Sequence, residues 1–302
     1  MYPHPFTHPA MTAAPNTPTP AELVECPRDA MQGLHDWVPT EQKVAYLNAL
    51  LQVGFTVLDF GSFVSPKAIP QLRDTREVVP QLQLEGVDTQ LLAIVLNERG
   101  ATDALEFPEI ALLGFPYSIN ETFSLRNGNQ TSAQAWEKVL RIQELATAQN
   151  RELVVYLSMA FGNPYGDEWN VEQVLEAADR VQQAGIRYIS VADTVGTAQP
   201  EVVEQVFTHL IHAYSQVTFS AHLHANPRTW RPKAEAAWNG GCRRLEGALQ
   251  GYGGCPFAGD ELVGNLATEN WLALLEEKGA LPQLNTEALR HAQELVPGVF
   301  GR

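Results

Sequence analysis

The chain has 302 residues, 45% of them apolar, a net charge of −15 and three cysteines. That length suits two modest domains or one large barrel. The acidic balance argues against a nucleic-acid or anionic-membrane binder, though a few local cations are enough to hold a phosphate-bearing small substrate.

Cys26, Cys242 and Cys255 are too far apart for a disulfide framework, so a reducing compartment is expected. No apolar run reaches the length of a membrane span, and neither end carries a targeting signal. A soluble cytoplasmic protein is the default expectation.

Taken in order, residues 1–20 hold six prolines and two histidines. Such a segment buries too little apolar surface to order itself and is expected to be a disordered arm, with His4 and His8 solvated. No linker follows it, so 21–302 is expected to be a single domain. Short apolar runs then recur at 23–26, 55–60, 91–96, 110–115, 153–159, 188–192, 217–223 and 244–249. Most are continuous rather than alternating, as in strands covered on both faces.

Stretches of helical period lie between them. Val44, Leu47 and Leu51 form one stripe after Thr40, a candidate N-cap. Trp136, Val139, Leu140 and Leu145 form another. A third, of Val171, Val174, Leu175, Ala178 and Val181, is opened by Asn170 and closed by Gly185. Gly54, Gly185 and the pair Gly240-Gly241 each stand between a helical stripe and a strand, where a left-handed residue lets the chain turn. Eight strands alternating with helices over about 250 residues predict a (β/α)8 TIM barrel with a C-terminal helical extension. A doubly wound sheet is the alternative, but no glycine-rich dinucleotide fingerprint follows the first strand.

A barrel carries its active site at the carboxyl ends of its strands. Arg28 and Asp29 follow strand one. Asp59 and Ser62 close strand two, and Tyr117 and Asn120 follow strand four. Asp193 ends strand six, and His222 and His224 end strand seven. A glycine-rich loop containing Cys255 follows strand eight and leads to Asn265. Alternation puts His222 and His224 on the same side of their strand, where two imidazoles either chelate one cation or simply hydrogen-bond. Singly, each of the others has a bland reading, such as a turn cap, a surface ion pair or a buried thiol. Together, Asp, His, His and Asn make a mixed oxygen and nitrogen set that favours Mg²⁺ or Mn²⁺ over structural zinc.

The stretch Val24-Glu-Cys-Pro-Arg28-Asp29-Ala-Met-Gln32 resembles the first-strand motif of metal-dependent lyases and synthases of the hydroxymethylglutaryl-CoA lyase type. Four more stretches match in order. They are Ser62-Phe-Val-Ser-Pro-Lys67, Ile189-Ser-Val-Ala-Asp193-Thr-Val-Gly196, the His222 and His224 pair, and Gly253-Gly-Cys255-Pro-Phe with Gly264-Asn265. The resemblance implies a (β/α)8 barrel that cleaves 3-hydroxy-3-methylglutaryl-CoA to acetyl-CoA and acetoacetate. It implies a divalent metal, Mg²⁺ or Mn²⁺, on Asp29, His222, His224 and Asn265. Arg28 is expected at the enolate oxygen and His222 and Cys255 in proton transfer. Asp59 and Asp193 join the catalytic shell, and Gln32, Ser62, Lys67 and Asn120 are expected at the substrate. The implied partners are an acyl-CoA and a second copy of the chain.

The chain departs from the family pattern in several places. Asp59 stands where glutamate is usual, and Ala225-Asn226-Pro227 replaces the usual Asp-Thr after the histidine pair. Gly33, Leu34 and His35 follow Gln32 in place of an acidic-basic pair, and the loop from Cys255 to Asn265 is one residue longer than in the animal enzymes. None removes a metal ligand, but they leave the acyl preference open. A related acyl-CoA lyase or a condensing 2-oxo-acid synthase of the same superfamily is the alternative. A non-catalytic binding descendant is a third reading. No cysteine follows Cys255, so redox control through a C-terminal thiol is not expected.

Overall fold

Eight parallel strands close into a barrel in chain order in the computed structural model, which describes residues 20–253 and 263–301. The strands are β1 (Glu22–Glu25), β2 (Val57–Ser62), β3 (Gln90–Ile94) and β4 (Ile110–Ser118), followed by β5 (Glu152–Ser158), β6 (Tyr188–Asp193), β7 (Thr218–Leu223) and β8 (Arg244–Gly247). The helices are α1 (Pro27–Gln32), α2 (Thr40–Leu51), α3 (Thr75–Val78), α4 (Glu98–Leu105), α5 (Glu121–Gly128) and α6 (Ser132–Ala148), then α7 (Val171–Gln183), α8 (Pro200–Ala213), α9 (Trp230–Asn239), α10 (Thr268–Lys278) and α11 (Thr286–Phe300). β8 pairs with β1, Val24 beside Glu246, which completes the ring. The proline-rich arm up to residue 19 and Cys255 lie outside the described residues.

The core divides as strand alternation requires. Val24, Cys26, Val57, Leu92, Leu112, Val154 and Tyr156 form one cluster, inside the barrel. Their alternating neighbours Leu23, Leu58, Leu91, Leu113 and Val155 belong to a second, larger cluster under the helices. This double burial is why the strands read as continuous apolar runs.

Local signals act as expected in several places. Asn170 and Gln173 form a capping box at the start of α7, and Val171, Val174, Ala178 and Val181 are buried. Gly54, Gly185 and Gly241 have φ of +94°, +78° and +96°, the left-handed turn from helix to strand.

Two expectations fail. Thr40 is the first residue of α2 rather than its cap, a place taken by Pro39. Its hydroxyl instead donates to Asp74 at 2.8 Å. Leu140 is 38% exposed, because the buried face of α6 runs through Trp136, Val139 and Ile142.

Strand two starts two residues later than its apolar run, since Phe55 is buried in the turn before the ladder begins. Beyond α10, α11 is the C-terminal extension. It packs on α2, with Phe300 edge-on to Tyr46 at 5.7 Å and stacked on Tyr252 at 4.6 Å. No helix among the described residues is long and apolar enough to cross a membrane.

Candidate active site and metal centre

α1 begins directly after β1, with Pro27 at its first turn, and this short helix sets Arg28 and Asp29 over the barrel mouth. Arg28 is 6% exposed. Its Nε donates to both oxygens of Asp59 at 3.1 Å, and Nη2 donates to Asp59 Oδ2 at 2.5 Å. Nη1 donates to Asp29 Oδ1 at 2.9 Å and to Gln32 Oε1 at 2.8 Å. A guanidinium has five N–H bonds, so one on Nη2 is left for a substrate oxygen. Burial pushes the Asp59 carboxyl up to about 6, and Arg28 holds it there, so it stays ionised at neutral pH. Burial also works against the charge of Asp29. Arg28, then His222 and His224, overcome that and hold Asp29 far below the usual carboxylate range.

β7 delivers His222, and His224 follows just beyond its end. Their rings face the same side, 5.2 Å between centroids. Residues 264–266 lie antiparallel against this end. The Ala225 N–H donates to the Gly264 carbonyl at 3.0 Å, and the Leu266 N–H donates to the Leu223 carbonyl at 2.9 Å. Asn265 thus stands opposite His224, and its Nδ2 donates to Asp29 Oδ2 at 2.8 Å. Gly253 permits this closure. A Cβ there would lie 2.7 Å from Asn265 Nδ2 and 2.9 Å from the Asp29 carbonyl.

Asp29, His222 and His224 offer ligand atoms that all lie within 4.8 Å of one another. His224 is 4% exposed, yet neither ring nitrogen has a hydrogen-bond partner among the described residues. A buried imidazole left without partners is costly unless something else satisfies it. Burial, reinforced by His222, pushes His224 down to about 4, so the ring is neutral and its lone pair is available. One carboxylate, two imidazoles and a neighbouring amide are a donor set that would fit a divalent cation.

Three further groups were not legible as site residues. Glu246 on β8 is paired in register with His222 and accepts from its Nδ1 at 2.9 Å and from Ser220 Oγ at 2.5 Å. Burial opposes both charges, but the contact reverses it, lowering Glu246 from its usual value and raising His222 above the usual imidazole value. A glutamate in a strand ordinarily faces water. Only the alternation of β7 and β8, with Ser220, His222, Arg244 and Glu246 all facing in, marks it as interior. Tyr156 on β5 sets its ring edge-on to His222 at 5.8 Å, and its buried hydroxyl has no partner among the described residues. Lys233 on α9 donates to Asp193 Oδ2 at 2.6 Å.

That last contact gives one expected site residue its partner. Asp193 accepts from Lys233 and, through Oδ1, from the Ala198 N–H at 3.1 Å, so it organises the β6 turn beside the histidine pair. Asn120 is likewise in use. Its Oδ1 caps α5 by accepting from Phe123 at 2.8 Å, and its Nδ2 donates to Asp167 at 2.9 Å. Ser62 Oγ accepts from the Val64 N–H at 3.2 Å. Ser62 also lines a cavity of about 330 Å³ that includes Arg73, Arg76 and Arg99 and none of the metal-centre residues. Lys67 is exposed, and its ammonium makes no hydrogen bond or ion pair among the described residues. Gln32 alone of the substrate group sits in the Arg28 cluster.

Comparison with known proteins supplies the family. Residues 24–296 match the HMGL-like family model. The chain belongs to the HMGL-like family. Among similar proteins of this family, hydroxymethylglutaryl-CoA lyase YngG of Bacillus subtilis is 31% identical over 276 residues, 91% of each chain. (R)-citramalyl-CoA lyase of Chloroflexus aurantiacus is 28% identical, covering 91% of this chain and 89% of that one. An HMG-CoA lyase from A. baumannii, solved in complex with coenzyme A and 3-methylmalate, superposes with a TM-score of 0.85 at 31% identity, covering 93% of this chain and 92% of that one. The HMGL-like match spans the whole barrel, from β1 into α11.

Proposed function

We propose that this HMGL-like protein is a carbon–carbon lyase that cleaves 3-hydroxy-3-methylglutaryl-CoA to acetyl-CoA and acetoacetate. The observation that carries the reading is the meeting, at the barrel mouth, of an Arg28 N–H and the buried His224 ring, both without a partner among the described residues, with the neighbouring Asp29 and His222. Asp29, His222, His224 and Asn265 would hold Mg²⁺ or Mn²⁺, which when bound would supply the Lewis acidity that makes a tertiary alcohol acidic enough to react.

In the cleavage the C3 hydroxyl loses its proton and the C2–C3 bond breaks. A carbonyl forms at C3, giving acetoacetate, and the electron pair moves from C2 onto the thioester oxygen. Arg28 donates its free N–H to that oxygen, a contact commonly worth about 10²–10³ in rate. Asp59 and Gln32 fix the guanidinium plane so that this donor is already aimed. The buried Tyr156 hydroxyl is a second donor, kept protonated because burial raises its pKa. C2 then takes up a proton, which regenerates the balance lost at the hydroxyl. His222, backed by Glu246, and Cys255 are the groups that move it. Lys67 and Ser62 are left as outer contacts for the CoA portion. The expected working unit is a homodimer in the cytoplasm, so light scattering should give a mass about twice the 33.3 kDa of one chain.

Incubation with hydroxymethylglutaryl-CoA and Mg²⁺ or Mn²⁺ should yield acetoacetate, and no turnover with any divalent metal would overturn this substrate. Pyruvate released from citramalyl-CoA instead would identify the related acyl-CoA lyase. CoA set free from acetyl-CoA and a 2-oxo acid would identify a condensing synthase. Cys255→Ser should keep metal binding and lose most turnover, and wild-type turnover in that variant would remove Cys255 from the mechanism.

A further inference from the structure

Lys233 is a lysine with nowhere to go. It is 4% exposed, on α9 behind the histidine pair. Its ammonium donates to Asp193 Oδ2 at 2.6 Å, to the Gly196 carbonyl at 2.7 Å and to the His224 carbonyl at 3.0 Å. An ammonium has three N–H bonds, so none remains for substrate or water. The three acceptors belong to three different segments: the end of β6, the turn that follows it, and the residue just past β7. Asp193 adds the Ala198 N–H, which fixes the same turn from the other side. A charge buried this deeply persists only when matched and fully hydrogen-bonded, and here both conditions hold.

What the ammonium holds matters more than how it is held. The His224 ring makes no hydrogen bond to another side chain among the described residues, so its aim follows its own backbone and the β6 turn at Thr194 beside it. That backbone has two anchors. On one side are the antiparallel contacts with residues 264–266. On the other is the Lys233 bond to the His224 carbonyl. The ring stands with Nε2 4.0 Å from Asp29 Oδ2, a spacing that a small peptide rotation would change.

We propose that Lys233 is a positioning residue of the metal centre, acting through the carbonyl of His224, with Asp193 as its counter-charge. The proposal rests on the reading of Asp29, His222 and His224 as metal ligands. Lysine suits the task because a compact ammonium reaches three acceptors in different directions, which a planar guanidinium does not.

The test compares two buried lysines by Mn²⁺ titration calorimetry of the full chain. Lys43 is a fitting control: it is 2% exposed, on α2, and paired at 2.7 Å with Asp74, the residue before α3, away from the histidines. Lys233→Met should weaken Mn²⁺ binding about 10–100-fold, the usual effect of losing a residue that orients a metal ligand. Lys43→Met should lower the melting temperature and leave Mn²⁺ affinity within about twofold. If Lys233→Met does not fold, the double variant Lys233→Gln, Asp193→Asn removes both buried charges together and takes its place under the same criterion. A folded Lys233 variant that binds Mn²⁺ like wild type overturns the proposal, as does an equal loss in Lys43→Met. Wild-type protein that takes up no Mn²⁺ overturns the metal-ligand reading itself and the proposal with it.

Discussion

His224 shows how much one side chain can report when it is buried without a ring hydrogen bond among the described residues. Its position makes sense as a ligand, so His224→Ala should raise the Mn²⁺ dissociation constant by more than about 100-fold, beyond what loss of an orienting neighbour costs. Full metal occupancy in that variant would remove it from the centre. His222 differs because Glu246 fixes its Nδ1 side and leaves Nε2 for the site. Glu246→Gln keeps an acceptor and loses the charge, and about 10–100-fold weaker metal binding or turnover is expected. Unchanged values would mean that His222 is oriented by packing against Tyr156 alone. Arg28, Asp29 and the two histidines were legible because unusual polar residues followed apolar runs. Glu246 and Lys233 were not, since a charged residue in a strand or helix gives no sign of pointing inward until its neighbours are placed.

At the scale of elements, the barrel is closed by contacts that cross from its first strand to its last segments. Glu25 at the end of β1 accepts from the Leu249 N–H at 2.8 Å and from Thr268 Oγ1 at 2.5 Å, tying β1 to the segment after β8 and to α10. Burial pushes its carboxyl from 4.5 up to about 8, so the folded protein holds a proton there that the unfolded chain releases. The folded state therefore binds more protons than the unfolded one between those values. This group's contribution is full below pH 4.5 and is lost as pH rises to about 8, at about 1.4 kcal/mol per pH unit. Glu25→Gln offers the same acceptor to Leu249 and a donor to Thr268 without titrating. Urea unfolding at pH 5.5 and 7.5 should show a flatter pH dependence in the variant, and identical slopes would show that Glu25 is already ionised in the native state.

The whole molecule adds α11 to a barrel that is already closed. Val296 and Val299 bury themselves from this helix, against α2 and its surroundings. Two buried valines are worth about 3–6 kcal/mol, which for a chain of this size is a fall in melting temperature of about 10 °C on removal of residues 285–302. Scanning calorimetry of the truncated chain tests this. A melting temperature unchanged by the deletion would make α11 an appendage with no part in stability. The same measurement bears on the single domain proposed for 21–302, which should unfold in one transition.

The sequence by itself determined the class of fold, because strands buried on both faces must be apolar throughout and the intervening helices must show one apolar stripe. It also pointed to Arg28, Asp29, His222 and His224 at the barrel mouth, because each follows or ends an apolar run and the carboxyl ends of barrel strands meet there. Only the tertiary structure decided how those residues are used. Asp193, expected in the catalytic shell, is the partner of Lys233, and Asn120, expected at the substrate, is a helix cap tied to Asp167. Glu246 entered the site because the β7–β8 register sets it beside His222. These are pairings across 24 to 47 residues of chain, and hydrogen bonds over such separations depend on register and helix placement, which local composition does not encode. For His222 and His224, alternation predicted that they face one way, and the fold supplied Asp29 and Asn265 beside them.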